Sequence, residues 1–269
     1  MRHPDRVTGL SCTRCGRPAC PECLREAAVG YQCVDCVNEG RRAAVRRGTT
    51  IAGAEAGRRP LVVPVLIVVN AAVFLWTVVQ AGSLFDNYAA RLFDQWSLVP
   101  LLVWNGEWWR PLTSGFLHIG PVHLLFNMLA LYVLGRDLEP VLGRVRFLAI
   151  YLVALLGGAA AVMLFGAPNV PVAGASGAVF GLMGGLAVVL RRMRFPLGQV
   201  IGLIAINVVI SLVIPGISIL GHIGGLLVGA AATAGMVYAP TRHRTAVQVA
   251  VLVGMTVLIL LAMWVTSLR

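Results

Sequence analysis

Long uncharged apolar runs recur along the chain after residue 60, and they constrain the fold more than any other feature. A bilayer core about 30 Å thick is crossed by about 20 apolar residues of helix. Only 12% of the residues are charged, against about 25% in soluble domains. We therefore predict an all-α membrane protein with seven spanning helices, at 61–80, 112–134, 147–165, 176–190, 197–213, 219–238 and 246–267.

The arginines give the predicted helices an orientation. Cytoplasmic loops of membrane proteins are rich in Lys and Arg, and all 22 basic residues here are Arg. Clusters follow the second, fourth and sixth predicted helices, at 136–146, 191–194 and 242–244, whereas the loops after the third and fifth carry no charge. We predict a multi-pass protein of the plasma membrane with a cytoplasmic N-terminus, because no secretory signal is apparent. Helices two, four and six then begin at the outer face.

The net charge of +11 alone would also suit a nucleic-acid-binding protein. The later arginines, however, lie in short clusters between the apolar runs, which is typical of a membrane protein. We therefore predict the lipid bilayer and membrane proteins as partners, and no nucleic acid.

All six cysteines lie between residues 12 and 36, in three CxxC pairs: Cys12/Cys15, Cys20/Cys23 and Cys33/Cys36. A CxxC turn presents two thiolates to one tetrahedral Zn²⁺. Disulfides are disfavoured because the segment is predicted to be cytoplasmic. The sequence therefore predicts structural zinc and no catalytic role for the metal, since closed thiolate sites leave no position for water.

The segments RHPDR, CTRCGRPACPEC and GYQCVDC resemble a B-box-type zinc finger, in which alternate ligand pairs share a metal. The resemblance implies one zinc on Cys12, Cys15, Cys33 and Cys36, and part of a second site on His3, Cys20 and Cys23. It would also place a further Cys three positions before His3, where this sequence begins. The fourth ligand is then an upstream Cys, Asp5 or water, or the second site is weak.

We predict that this module, over residues 1–40, is regulatory or docks a cytoplasmic protein partner. Residues 41–60 are predicted to form an Arg-rich linker that meets anionic lipid headgroups. The arginines concerned are Arg41, Arg42, Arg46, Arg47, Arg58 and Arg59.

The ionisable residues restrict the chemistry of the predicted helices. No Asp or Glu follows Glu139, the chain has no Lys, and the HExxH motif is missing. This composition excludes paired-aspartate, zinc and Ser/Lys hydrolases, and it removes most of the relay of a carboxylate-based transporter. Polar residues within a bilayer are functional candidates. Those on the apolar runs, all near the predicted outer face, are His118, His123, Asn127, Ser176 and His222.

Glycines indicate which predicted helices pack together. Small residues at helical spacing allow transmembrane backbones to approach closely. They are Gly177, Gly181 and Gly184 or Gly185 in GASGAVFGLMGG, and Gly225 and Gly229 in GHIGGLLVG. The fourth and sixth helices can therefore bring the Ser176 hydroxyl to the His222 imidazole, an activated-nucleophile arrangement.

These motifs together resemble the rhomboid intramembrane serine proteases over about residues 61–240. The matching features are GASG, GHIGGLLVG, the pair Trp109-Arg110, His118 and His123 five apart, and Asn127 four further on. The resemblance implies a six-helix core over 61–240 that cleaves transmembrane substrates, single-pass or multi-pass, without a cofactor. The seventh helix, within 241–269, lies beyond that core.

The resemblance also implies individual roles. Ser176 would be the nucleophile of an acyl-enzyme mechanism and His222 its general base and acid, oriented by packing because no carboxylate lies nearby. His123, Asn127 and the Ser176 backbone N–H would form the oxyanion hole. Supporting positions would be His118, Arg110, Glu139, Gly143 and Gly174, with Phe180 stacking on His222 where relatives often have Tyr.

Other interpretations compete with a protease. Ser176 could be a helix N-cap, and the histidines could be core residues or interhelical contacts. A rhomboid-like protein that binds client helices without cutting them is the main alternative, although such relatives typically lack the catalytic Ser or His. A small-solute transporter would show an inverted repeat, and we find none between the halves.

Overall fold

A computed structural model describes residues 3, 5–44, 48–57 and 59–268, without the side chains of 41–44. The chain forms two compact units, Met1–Gly48 and Thr49–Arg269. Of the arginines predicted to meet lipid headgroups, Arg46, Arg47 and Arg58 lie outside the described residues, as do the side chains of Arg41 and Arg42.

The first unit is a small ribbon and helix built around cysteines. Strands β1 (Leu24–Glu26) and β2 (Tyr31–Cys33) pair antiparallel, and helix α1 (Val34–Ala44) follows directly. Apart from Ala19 and Leu24, the buried cluster of this unit consists of Cys12, Cys20, Cys23, Cys33 and Cys36. A unit this small buries little apolar surface and usually needs a metal or disulfides for stability.

The second unit is all α-helical, as predicted. Its helices are α2 (Val62–Ala81), α3 (Arg91–Trp96), α4 (Pro100–Trp104), α5 (Arg110–Thr113), α6 (Gly120–Leu142), α7 (Arg144–Phe165), α8 (Ser176–Arg192), α9 (Gly198–Val213), α10 (Ile219–Val237) and α11 (Arg244–Thr266). Among the described residues, α2, α7, α10 and the Thr241–Thr266 segment are long and apolar enough to cross a membrane. A fifth span exists if α6 is joined to the preceding bent segment.

Each of the seven predicted runs overlaps one long helix, but the number and the bounds of the predicted spans need correction. The prediction of 112–134 is wrong, because Arg110–Phe116 and Gly120–Leu142 meet at an angle of 95°. Gly120, with φ of +68°, and Pro121 start a new helix there. Helices α8 and α9 have 17 and 16 residues, fewer than the ~20 that a full crossing needs.

A buried carboxylate joins the last turns of α6 to the start of α2. Glu139 is only 1% exposed. Its Oε1 accepts hydrogen bonds from the N–H groups of Leu61 at 2.6 Å and Val62 at 3.0 Å, and its Oε2 accepts one from Val63 at 2.9 Å. These donors are the free N–H groups at the start of α2. Glu139 therefore caps α2 from a neighbouring helix.

Part of the predicted linker packs against helices instead. Ala52 is fully buried, and its carbonyl accepts a hydrogen bond from Gln248 Nε2 at 3.0 Å. The Thr50 hydroxyl donates to the Val141 carbonyl at 2.6 Å. The second unit consequently begins at residue 49, well before the predicted boundary at 60.

Helices α8 and α10 pack backbone to backbone, as their glycines predicted. A Cβ on Gly225 would overlap the backbone of Gly177, and one on Gly229 would overlap that of Gly181. The contacts advance together along both helices, so the helices are parallel and their first turns lie side by side. The close approach therefore brings the starts of α8 and α10 together.

Candidate active site and metal centre

Ser176 and His222 meet at the adjoining starts of α8 and α10. The Oγ of Ser176 lies 2.7 Å from Nε2 of His222. Ser176 is the first residue of α8 and the N-cap is Ala175, so the alternative of Ser176 as an N-cap is not supported. The Ser218 hydroxyl caps α10 by accepting from the Gly221 N–H, which sets His222 in the first turn.

The His222 imidazole is held on two sides. The Phe180 ring stacks on it with centroids 4.1 Å apart and planes 16° from parallel. On its other ring nitrogen, Nδ1 lies 2.6 Å from Oγ of Ser211, a residue of α9. His222 is therefore oriented by a hydrogen bond as well as by packing, whereas the sequence analysis predicted packing alone.

Sequence reasoning missed Ser211. The available signal was a hydroxyl within the apolar run 197–213, eleven residues before His222. That signal was incomplete, because Asn207 is a second polar residue of the same helix, and among the described residues its side chain bonds to the Leu203 carbonyl and not to His222.

His123 and Gly174 lie beside Ser176. The Ile119 N–H donates to Nδ1 of His123 at 3.2 Å, so in the neutral ring the proton lies on Nε2. A Cβ on Gly174 would lie 2.9 Å from this Nε2 and 3.6 Å from the Ser176 Oγ. The two side chains therefore border one small space, which Gly174 leaves open.

Asn127 and His118 are close to His123 but make no direct bond to the Ser176–His222 pair within the described chain. The Asn127 Nδ2 donates to the His123 carbonyl at 3.0 Å, which leaves one amide hydrogen available. His118 is fully buried, and its ring lies 5.1 Å from that of His123 at 59°. Asn127 is thus one turn after His123 on α6.

Arg110 supports the segment before α6. Its side chain is buried, and its Nε and Nη2 contact Glu107 Oε2 at 2.8 and 2.6 Å. Its Nη1 donates to the Ser97 carbonyl at 2.8 Å. Gly143 separates α6 from α7 at a φ of +81°. Both residues therefore hold turns of the backbone and do not contact the Ser176–His222 pair.

A family model described as "Rhomboid domain" matches residues 105–239, half of the chain. The chain belongs to the rhomboid family. Every candidate active-site residue, from Arg110 to His222, falls within the matched segment, and the six cysteines fall outside it. The family match, together with the apolar helices, makes this chain an all-α multi-pass membrane protein.

Named rhomboid relatives match over different lengths. Rhomboid protease GluP of Bacillus subtilis (strain 168) is 43% identical over 140 residues, which cover 50% of this chain and 27% of the relative. RHOMBOID-like protein 4 of Arabidopsis thaliana is 32% identical over 201 residues, or 63% of this chain and 51% of the relative. Rhomboid protease AarA of Providencia stuartii is 29% identical over 214 residues, or 67% and 74%. The chain thus spans about half or less of the first two relatives.

The cysteines of this rhomboid chain form a candidate metal centre in the first unit. The ligand atoms of Cys12, Cys15, Cys33 and Cys36 all lie within 4.8 Å of one another. The Sγ atoms of Cys15 and Cys33 are 3.9 Å apart, against about 3.8 Å for a tetrahedron with Zn–S bonds of about 2.3 Å. This donor set fits a tetrahedral metal ion.

The thiols of this centre differ in pKa. The Cys33 backbone N–H donates to the Cys12 Sγ at 3.2 Å, which lowers the pKa of Cys12 to about 6. Burial raises the pKa of Cys36, because removal from water disfavours the charged thiolate. A divalent metal on these ligands would favour the thiolate form of all four.

His3, Cys20 and Cys23 form a second group in the same unit. The Nδ1 of His3 lies 3.3 Å from the Cys20 Sγ and 3.5 Å from the Cys23 Sγ. The His3 contact lowers the pKa of Cys20 to about 7. Within the described residues this group has three ligands and does not include Asp5.

Proposed function

We propose that this rhomboid is an intramembrane serine endopeptidase that uses Ser176 and His222 to cleave transmembrane segments through an acyl-enzyme. The observation that carries the proposal is the 2.7 Å contact between Ser176 Oγ and His222 Nε2. A hydroxyl beside a correctly oriented imidazole is an activated nucleophile that requires no cofactor.

In the first step, the Ser176 Oγ bonds to the carbonyl carbon of the scissile peptide while Nε2 of His222 takes its proton. The carbonyl electron pair moves to oxygen and forms an oxyanion. Two donors border the space beside Ser176 and can stabilise this charge: the Ser176 backbone N–H at the start of α8 and the His123 Nε2–H. The second Asn127 amide hydrogen, one turn after His123 on α6, is proposed as the third donor of the oxyanion hole.

In the second step, the oxyanion collapses, the carbon–nitrogen bond breaks, and the leaving amine takes the proton from Nε2. Ser176 is then esterified to the new carboxyl end. Water attacks this ester while His222 accepts its proton, and the same proton returns to Ser176 Oγ as the acid leaves. Every proton passes through one imidazole nitrogen.

The substrates are proposed to be single-pass or multi-pass membrane proteins. In a transmembrane helix every peptide carbonyl is engaged in an intrahelical bond. The scissile segment must therefore unwind before Ser176 can attack, which favours substrates with Gly, Pro or small polar residues near one helix end.

We propose that cleavage occurs near the outer face of the plasma membrane. Helix α8 begins at Ser176 and ends with Arg191 and Arg192, and its 17 residues correspond to about 25 Å of helix. Because Arg-rich ends favour the cytoplasm, Ser176 would face outward. The same rule supports a cytoplasmic N-terminus.

The test is cleavage of a generic transmembrane substrate by the purified full-length chain in detergent. Ser176→Ala and His222→Ala should each abolish cleavage, whereas the matched variants Ser267→Ala and His243→Ala should cleave at the wild-type rate. The His243 side chain is solvent-exposed, and Ser267 is partly exposed, with its hydroxyl bonded to the Trp264 carbonyl. Cleavage by the Ser176→Ala variant at the wild-type rate would refute the mechanism. A wild-type protein that retains the substrate without cutting it would favour the non-proteolytic binder.

We further propose that Cys12, Cys15, Cys33 and Cys36 hold a structural Zn²⁺ and that the module over 1–40 docks a cytoplasmic protein. The second group would bind metal more weakly, because it has three ligands within the described residues, one fewer than a closed site. Domains are proposed as this module within the first unit, which ends at residue 48, a protease core from residue 49 to 240 and an additional helix within 241–269.

Metal content of the purified chain tests the zinc proposal. Cys33→Ser should contain one zinc fewer per chain than wild type and should lose thermal stability. Cys20→Ser should keep the first zinc. Equal zinc in wild type and Cys33→Ser would show that these thiols bind no metal.

A further inference from the structure

Helix α9 contributes one polar group to the candidate active site. Of its 16 residues, only Val200 and Ser211 are buried. Neighbours of Ser211 on the same helix are largely exposed, including Val209 at 55% and Leu212 at 67%. Apolar side chains in this position face lipid. A hydroxyl buried on an otherwise lipid-facing helix is unusual and requires a partner.

Ser211 has two partners, and they determine the direction of its hydrogen bonds. Its Oγ lies 2.7 Å from the Asn207 carbonyl and 2.6 Å from Nδ1 of His222. A carbonyl oxygen can only accept, and a serine has a single O–H. The hydroxyl proton therefore goes to Asn207, a bond from Ser to the residue four before it that is common in helices. The Ser211 oxygen must then accept the proton on Nδ1 of His222.

This direction fixes the tautomer of His222. With the proton on Nδ1, Nε2 has a free lone pair and faces Ser176 Oγ at 2.7 Å. With the proton on Nε2, the ring could not accept the Ser176 proton and would not be a base. One continuous chain of hydrogen bonds thus runs from Ser176 through His222 and Ser211 to the Asn207 carbonyl.

Phe180 and Ser211 restrain different motions of the same ring. Stacking at 4.1 Å by Phe180 fixes the plane of the imidazole, but a stacked ring can still flip and exchange its two nitrogens. The bond from Nδ1 to Ser211 opposes that flip. It also survives proton transfer, because Nδ1 keeps its proton when Nε2 receives one.

From this geometry we infer that Ser211 is the positioning residue of the active site: it holds His222 in the Nδ1–H tautomer with Nε2 directed at Ser176. Ser211 contacts neither the substrate nor the scissile bond, and it gains or loses no proton in the reaction. The inference rests on the proposed peptidase function. It replaces a two-residue site with a hydrogen-bonded triad whose third member is neutral.

The first experiment measures kcat and KM for the full-length chain with a transmembrane substrate. Ser211→Ala should lower kcat about tenfold, the effect of about one hydrogen bond on a rate, and leave KM unchanged. Ser211→Thr keeps the hydroxyl and should restore most of kcat. Thr256→Ala is the matched control, because the Thr256 hydroxyl makes the same type of bond to the Leu252 carbonyl at 2.8 Å. It should leave kcat unchanged.

The second experiment reads the tautomer directly, by ¹⁵N NMR of histidine-labelled protein in micelles with the His222 signals assigned from His222→Ala. Wild type should carry its proton on Nδ1, and Ser211→Ala should be a mixture of tautomers. The wild-type spectrum tests the predicted tautomer of His222 even if the Ser211→Ala variant folds poorly. A wild-type His222 protonated on Nε2, or an unchanged kcat in a folded Ser211→Ala, would overturn the inference.

Failure of this inference is distinguishable from failure of the proposed function. If Ser176→Ala is inactive while Ser211→Ala is fully active, only the role of Ser211 is refuted. If Ser176→Ala itself cleaves, the peptidase mechanism is refuted together with it.

Discussion

Helices α8 and α10 differ from α9 in how they are held, although all three contribute to the same site. The first two touch through their backbones, so that glycines such as Gly225 and Gly229 have no room for a Cβ. In α9, Gly202 has no atom within 4 Å of a Cβ, and only two residues are buried. The proposed nucleophile and base thus lie on a closely packed pair, and the hydroxyl proposed to set the tautomer of the base lies on a loosely packed helix.

The contrast implies that a helix with little protein contact can still supply a side chain that the proposed mechanism needs. A lipid-facing helix satisfies its backbone internally and needs little protein contact. A single oriented hydroxyl such as Ser211 can still act on the site from such a helix. The following substitutions test this contrast.

Gly229→Ala should have the largest effect. Its Cβ would overlap the backbone of Gly181, which has no side chain that could move aside. We expect a loss of about 1–3 kcal/mol or more in the free energy of unfolding and nearly complete loss of cleavage. Unfolding in detergent measures this, with Gly254→Ala in α11 as control, because a Cβ there meets nothing within 4 Å. Equal stability of the two variants would mean that α8 and α10 are not in close contact.

Gly174→Ala should impair catalysis more than folding. The added Cβ would occupy the space between His123 and Ser176, at a φ of +132° that L-residues rarely adopt. We expect kcat to fall by about 100-fold, as when one oxyanion donor is lost. Cleavage kinetics on folded protein check this. A wild-type kcat for Gly174→Ala would show that the oxyanion of the tetrahedral intermediate lies elsewhere.

Phe180→Leu should have an intermediate effect. It removes the ring that stacks on His222 at 4.1 Å, an interaction of about 0.5–1.5 kcal/mol between aromatic rings. We expect kcat to fall by about tenfold at most, with Phe180→Tyr close to wild type because the ring is kept. A Leu variant as active as Tyr would mean that Ser211 alone orients the imidazole.

Gly202→Ala should have the smallest effect. Replacing a helical Gly by Ala without a clash favours folding by about 0.5–1 kcal/mol. We expect equal or slightly higher stability and unchanged cleavage, measured in the same assays. A large loss of either would show that α9 packs more tightly in the membrane than its exposed surface implies.

The sequence identified the parts of the site that depend on local spacing. Gly177, Gly181, Gly225 and Gly229 lie at intervals that put them on single helix faces, so the contact of α8 with α10 followed from helical periodicity. The all-α fold followed from the apolar runs and the rhomboid family from the motifs, and the match to residues 105–239 confirms the family.

Features that depend on tertiary contacts could not be predicted in this way. The residues from Leu112 to Phe116 are uncharged and run directly into the apolar stretch after them, so hydropathy alone does not reveal the 95° bend before Gly120. The Glu139 cap joins residues about 77 positions apart. The contact of Ser211 with His222 could not be predicted for the same reason, because it depends on how α9 is rotated relative to α10.

The most direct test of the central claim is covalent labelling of the purified chain with a fluorophosphonate probe, followed by peptide mass spectrometry. The probe phosphonylates a serine only where a neighbouring base has activated it. We predict a single adduct on Ser176, absent from Ser176→Ala and strongly reduced in His222→Ala. A chain that cleaves its substrate while Ser176 stays unlabelled, or equal labelling with and without the His222 imidazole, would contradict the account.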